Sequence, residues 1–146
     1  MATHDPSTAV QIALRERFIA TDVLTALVPA ANILDRNQRP APDPSIILGE
    51  DQVVDTGLTI ARDYVRVYST IHIWKKEVSL AGVKLIAGAI RRAIGRVRAL
   101  DLTDPDFVCS DCKIDSARFL RDPDGETSHG ILVINCLVQQ RWSVTI

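Results

Sequence analysis

The chain has 146 residues, 47% hydrophobic and 24% charged, the proportions of an ordinary globular domain rather than of a disordered or membrane-embedded chain. Its 17 basic and 18 acidic residues leave a formal net charge of −1, so no global field draws it to nucleic acid or anionic lipid. The start, MATHDPSTAV, lacks the basic-then-apolar order of a signal peptide, and no apolar run of about 18 residues occurs; the expectation is a soluble, cytoplasmically made protein with no membrane partner.

Pro6 to Ile19 predicts an amphipathic helix, with Val10, Leu14 and Phe18 at four-residue spacing, Ala13 beside them, and Ser7 or Thr8 as cap. Arg15, Glu16 and Arg17 lie mostly off that stripe and are expected in solvent. Thr21-Asp22 offers a fresh cap for a short helix, Val23 to Val28, stopped by Pro29. Ala31 to Pro44 is a connector that opens on a short strand at Asn32–Asp35 and ends in RNQRPAPDP, which holds three of the seven prolines. Ser45 to Gly49 is a short apolar strand, and Glu50 to Ala61 a polar excursion of about a dozen residues.

Tyr64 to Trp74 alternates strictly. Val65, Val67, Ile71 and Ile73 point one way, with Ser69 interrupting, and Arg66, Tyr68, Thr70, His72 and Trp74 point the other. Aromatics on the outward face fit a half-covered sheet or a subunit interface. Ser79 can cap a long helix to about Leu100, in which Leu80, Val83, Ile86, Ala87, Ile90, Ala93, Ile94 and Val97 keep helical spacing. Lys84, Arg91, Arg92, Arg96 and Arg98 form its basic face; with no aromatic side chains interleaved, a solvated or subunit-contacting face outweighs nucleic-acid binding.

Asp101 to Asp106 is turn-like, followed by apolar Phe107-Val108 and a strand-like Lys113 to Leu120. The stretch RFLRDPDGETSHGILVINC, Arg118 to Cys136, then predicts a hairpin whose return strand, Ile131 to Val138, is apolar on both sides and so expected to be central and covered on both faces. Gln139 to Ile146 is more polar, an edge or a tail. The order of elements predicts an α+β fold: one domain over 1–146, a mostly antiparallel sheet with two main helices packed on one face, and flexible tails at 1–6 and 143–146.

No catalytic constellation is present. GxSxG, GxxxxGK[ST], GxGxxG and HExxH are all missing. Cys109 and Cys112 form a CxxC, yet zinc needs two further ligands, only Cys136, His4, His72 and His129 remain besides carboxylates, and the motif leads into a strand rather than a helix. Asp122-Pro123-Asp124-Gly125 has the residue order of a type I turn, with Asp bonding the backbone, Pro fixing φ and Gly fourth. The further acids of a calcium loop are absent. No catalytic residue, metal ligand or cofactor is therefore assigned.

Several ordered segments resemble a known family: Ile71-His72-Ile73-Trp74, the helix core Lys84-Leu85-Ile86-Ala87-Gly88-Ala89-Ile90-Arg91, and above all Phe119-Leu120-Arg121-Asp122-Pro123-Asp124-Gly125 with His129-Gly130. Leu24 to Val28, Ile33-Leu34-Asp35 and Pro44 to Gly49 extend the likeness to about Gln11–Trp142. The pattern is similar to small tail proteins of long-tailed phages, prophages and gene transfer agents, long catalogued as a domain of unknown function and regarded as tail terminators or tail-completion proteins. The resemblance implies an α+β subunit of a ring, a hexamer, at the head-proximal end of the tail tube, which stops tube polymerisation and joins tail to neck. Its implied partners are further copies of itself (with a monomer in isolation compatible), the major tail tube protein and the head–tail connector or neck protein, with no sequence-specific nucleic acid. Its implied place is the virion tail, assembled in the bacterial cytoplasm. Candidate contact residues are Arg66, Tyr68, His72 and Trp74 on the outward strand face, Arg91 on the basic helix face, and Arg121, Asp122, Asp124 and His129 at the hairpin. A neck, stopper or tail-assembly protein of the same virion is the near alternative, and a small metal or redox enzyme using the CxxC the distant one.

Overall fold

Asp5 starts the first helix. Its carboxylate accepts the backbone N–H groups of Ser7 and Thr8 at 3.3 and 3.2 Å, and Pro6 takes the first helical position, where a missing N–H costs nothing. The cap thus falls two residues before Ser7. The computed structural model describes residues 4–95 and 100–141; of the expected tails at 1–6 and 143–146, residues 1–3 and 143–146 lie outside them, while Asp5 and Pro6 are not tail but the cap and first residue of α1. Helix α1 spans Pro6–Ile19, α2 Asp22–Thr25 and α3 Ala81–Ile94; the strands are β1 Ile33–Leu34, β2 Ser45–Asp55, β3 Tyr64–Lys75, β4 Phe107–Arg121 and β5 Ser128–Gln140. The five strands form one sheet in the order β1-β2-β3-β5-β4, antiparallel except for the short β1–β2 pair.

Both main helices lie on one face of that sheet. From α1, Val10, Leu14 and Phe18 are fully buried, and Val83, Ile86 and Ile90 of α3 are buried beside them against Val67, Ile71 and Ile73 of β3 and Leu132, Ile134 and Val138 of β5. Each such side chain removed from water contributes roughly 1.5–3 kcal/mol before entropy is counted. Arg15 and Arg17, expected in solvent, instead donate to the carbonyls of Ile33 and Ala93 at 3.0 and 3.3 Å and tie α1 to β1 and α3.

Several elements differ from expectation. The short second helix is displaced toward its cap, ending at Thr25 rather than Val28. The polar excursion from Glu50 is mostly strand: β2 makes a bulge between Leu48 and Asp51, and then pairs with β3 as far as Asp55↔Val65. Its polar character reflects position, because Glu50 to Asp55 project beyond the helical cover and are all exposed. β4 is one strand of 15 residues, not two pieces; register shifts between Cys109 and Asp111 and between Ile114 and Ser116 break the period-two pattern that sequence reading relies on. Helix α3 stops at Ile94, before Gly95, whose φ of 58° needs glycine; Arg96 and Arg98 lie outside the described residues.

β5 is central as expected, between β3 and β4, but helices cover only its Leu132–Ile134–Cys136–Val138 face. Ile131, Val133 and Leu137 on the opposite face are half-buried, so the sheet has one covered and one open side.

Candidate assembly surface

Residue parity alone puts a ring cluster on the open side. His72 and Trp74 alternate with the buried Ile71 and Ile73 of β3, and the β3–β5 register sets His129 opposite Trp74 and diagonal to His72. The rings of Trp74 and His129 stack with centroids 3.7 Å apart and planes 9° from parallel. His72 Nδ1 lies 2.9 Å from His129 Nε2, and His72 Nε2 lies 3.2 Å from Glu50 Oε2. Glu50 sits in the β2 bulge, which turns its carboxylate onto this face. The bulge also explains Gly49, where a β-carbon would stand 2.7 Å from Cδ2 of His72. Only a residue without a side chain leaves room for that ring.

Burial acts on the charge of His129. His129 is 9% exposed, and that burial, with the neighbouring His72 second, pushes its pKa down to about 4. The hydrogen bond from His72 holds the Glu50 carboxyl below the usual range. A carboxylate only accepts, so His72 donates to Glu50 through Nε2, and its Nδ1 shares one proton with Nε2 of His129 across the 2.9 Å contact. The network links His129, His72 and Glu50. Farther along the same face, Arg66 Nη1 donates to Asn135 Oδ1 at 3.2 Å, and Tyr68 lies between Gln52 and Asn135 in the register.

The hairpin tip is a self-satisfied turn. Gly125 N–H bonds Asp122 O at 3.0 Å, with Gly125 at φ 73°, and Asp124 Oδ1 accepts from the backbone of Glu126 and Thr127 at 2.8 and 2.9 Å. Those bonds, with the Thr127 hydroxyl, hold the Asp124 carboxyl below its ordinary pKa, and the Lys76 ammonium adds the smallest share. Arg121 Nε donates to Val78 O at 3.3 Å and anchors the tip near the start of α3. Between the tip and the proline-rich connector runs an open groove of about 650 Å³, lined by Arg39, Pro42, Trp74, Lys76, Asp122 and Asp124 among others. Asp43 fixes the connector there by accepting the Lys76 N–H at 2.8 Å.

The expected contact residues therefore fall into separate groups. His72, Trp74 and His129 meet in one cluster, flanked by Arg66 and Tyr68, while Arg121, Asp122 and Asp124 hold the adjoining tip. Arg91 is exposed on α3, on the other side of the sheet, and joins neither. Glu50 and Gly49 belong to the cluster, although in sequence they carry no signal beyond a polar stretch after a strand.

The CxxC is a core feature. Two cysteines three apart in a regular strand face opposite ways; the bulge after Cys109 adds one residue, so Cys109 and Cys112 both turn inward and are buried with Cys136. Cys136 beside it lowers the Cys109 thiol to about 7, while the two neighbouring thiols and burial push Cys136 up. Among the described residues, no group of three or more His, Cys, Asp or Glu side chains is placed to hold a metal ion.

A family model described as "Tail completion protein gp17" matches residues 12–139. The chain belongs to the tail completion protein gp17 family. This is a family of structural phage tail proteins, not of enzymes, and the chain is accordingly a structural component of a virion tail. A chain in a solved structure of the virion of a native gene transfer agent particle has the same fold, with a TM-score of 0.77 at 20% identity over 94% of this chain and 99% of that one. No curated protein matches this chain. Among the described residues of this family member, no helix is long and apolar enough to cross a membrane.

Proposed function

We propose that this tail completion protein is the tail terminator: a ring, a hexamer, at the head-proximal end of the tail tube that stops tube polymerisation and joins the tail to the neck. The observation that carries the reading is the family match across residues 12–139, nearly the whole folded chain. The one-sided sheet supports it, because a subunit in a closed ring must offer two different patches to its two neighbours. The open face with Arg66, Tyr68, His72, Trp74 and His129 is one contact patch; the tip with Arg121, Asp122 and Asp124, and Arg91 on α3, serve others. The partners are further copies of this chain, the major tail tube protein and the connector or neck protein, brought together in the bacterial cytoplasm. Ring closure depends on the tube end, so a monomer in isolation agrees with the reading.

Tails made from a genome lacking this reading frame test it by electron microscopy. Tubes of uncontrolled length are expected. Tubes of normal length on particles that fail only at joining would transfer the protein to the neck or stopper role.

A further inference from the structure

Both edges of the sheet offer backbone to a partner. Among the described residues, β4 pairs with β5 on one side and with no strand on the other. At the opposite edge β1 reaches only Ile46 and Ile47, so β2 from Leu48 to Asp55 has β3 on one side and an open edge on the other. A row of unpaired N–H and C=O groups is a template for a further strand.

The two edges match in three respects. Their regular stretches are alike in length: after its bulge β2 keeps an unbroken register from Asp51 to Asp55, and after its second bulge β4 keeps one from Ser116 to Arg121. Their charges are opposite. Glu50, Asp51 and Asp55 are the charged residues of β2, all acidic, whereas Ser116–Arg121 carries Arg118 and Arg121 and no acid. All five of these side chains are exposed. Their directions also agree. β2, β3, β5 and β4 are successively antiparallel, so β2 and β4 run oppositely, and a neighbour rotated about an axis along the strands sets its β2 antiparallel to this β4.

We infer that the β4 edge of one copy, at Ser116–Arg121, pairs with the β2 edge of the next copy, at Asp51–Asp55, joining successive sheets into one. The contact is head-to-tail, the kind that closes a ring by rotation. This inference rests on the ring reading and names the surface that builds the ring. The bulges before each stretch restrict pairing to these short segments and guard the rest of each edge against indiscriminate association.

Charge exchange between the edges tests it, with full-length protein supplied to particles made from a genome lacking the reading frame. Arg118→Glu with Arg121→Glu makes both edges of one copy acidic, and Asp51→Lys with Asp55→Lys makes both predominantly basic. Each pair alone is expected to lower the yield of intact tailed particles by about tenfold or more, since like charges across a contact cost several kcal/mol. Supplied together, the two variants form an alternating ring in which every contact joins opposite charges, and so does one chain carrying all four changes; both restore yield to within about threefold of wild type. Thermal unfolding of Asp51→Lys with Asp55→Lys is expected to stay close to wild type, and Arg118→Glu alone, which spares the Arg121–Val78 bond, or Asp55→Lys alone serves where a pair unfolds. Variants that assemble as wild type does, or losses that neither combination rescues, overturn the edge pairing and leave the ring standing. Wild-type particles whose tail ends carry no ring of this protein overturn the ring reading itself.

Discussion

His72 Nδ1 and His129 Nε2 lie 2.9 Å apart across the paired strands β3 and β5, on the side of the sheet that no helix covers. Two imidazoles 57 residues apart in sequence become one network with Glu50, and that network is built for the neutral form of His129. Its pH dependence follows. The folded pKa of His129 is about 4, below the ordinary value of 6.5, so between those values the unfolded chain binds more protons than the folded one. The stability due to a neutral His129 is full above pH 6.5 and is lost as pH falls toward 4. Glu50, also lowered, acts in the same direction, its contribution fading as pH falls through the carboxylate range. Thermal unfolding should show a lower midpoint at pH 5 than at pH 7, and His129→Gln should shrink that difference. An unchanged difference would remove His129 as its source.

Gly49→Ala puts a methyl group 2.7 Å from the His72 ring, and the ring is held in place by Glu50 and His129. The expected cost is about 1–3 kcal/mol in denaturant unfolding. In the Gly49→Ala, His72→Ala double variant the clash is gone, so its loss should fall short of the sum of the single losses by at least about 0.5 kcal/mol. Additive losses would show that the tight approach carries no strain.

Phe18 is fully buried where α1 meets the sheet. Phe18→Ala should destabilise the fold by about 3–5 kcal/mol, the transfer and cavity cost of a large core side chain. A much smaller loss would mean that the site collapses around the gap.

Asp5→Ala removes the acceptor of two N–H groups at the start of α1 and should cost about 1 kcal/mol. Ser7→Ala, which deletes a hydroxyl donating to Asp5, should cost less, because the cap itself remains. The reverse ranking in urea unfolding would restore Ser7 as the capping residue.

Buried Cys109, Cys112 and Cys136 should react with a thiol reagent far more slowly in the native protein than in denaturant. Elemental analysis should find less than one zinc per chain. Stoichiometric zinc lost in Cys109→Ser, Cys112→Ser would move the motif from core packing to metal binding.

Local chemistry was legible without the fold. The Val10–Leu14–Phe18 stripe, the alternation from Tyr64 and the Asp122–Gly125 turn each depend on neighbours within a few residues, so their spacing sufficed. The family resemblance was legible for the same reason, as an ordered set of such segments. Bulges hid the rest. One inserted residue after Cys109 reverses which side chains face the core, and the bulge at Gly49–Glu50 does the same for β2, so β4 looked divided and the outer half of β2 looked like loop.

By itself the sequence determined an α+β domain with a one-sided sheet, a hairpin tip that satisfies its own acids, and membership pointing to a phage tail. Only the tertiary structure decided that Glu50, His72, Trp74 and His129 form one cluster, that Arg91 stands apart from it, and that the acidic β2 and the basic end of β4 lie on opposite open edges. These are properties of strand register and sheet order, set by hydrogen bonds between residues far apart in the chain, and residue periodicity carries no information about which strand lies beside which.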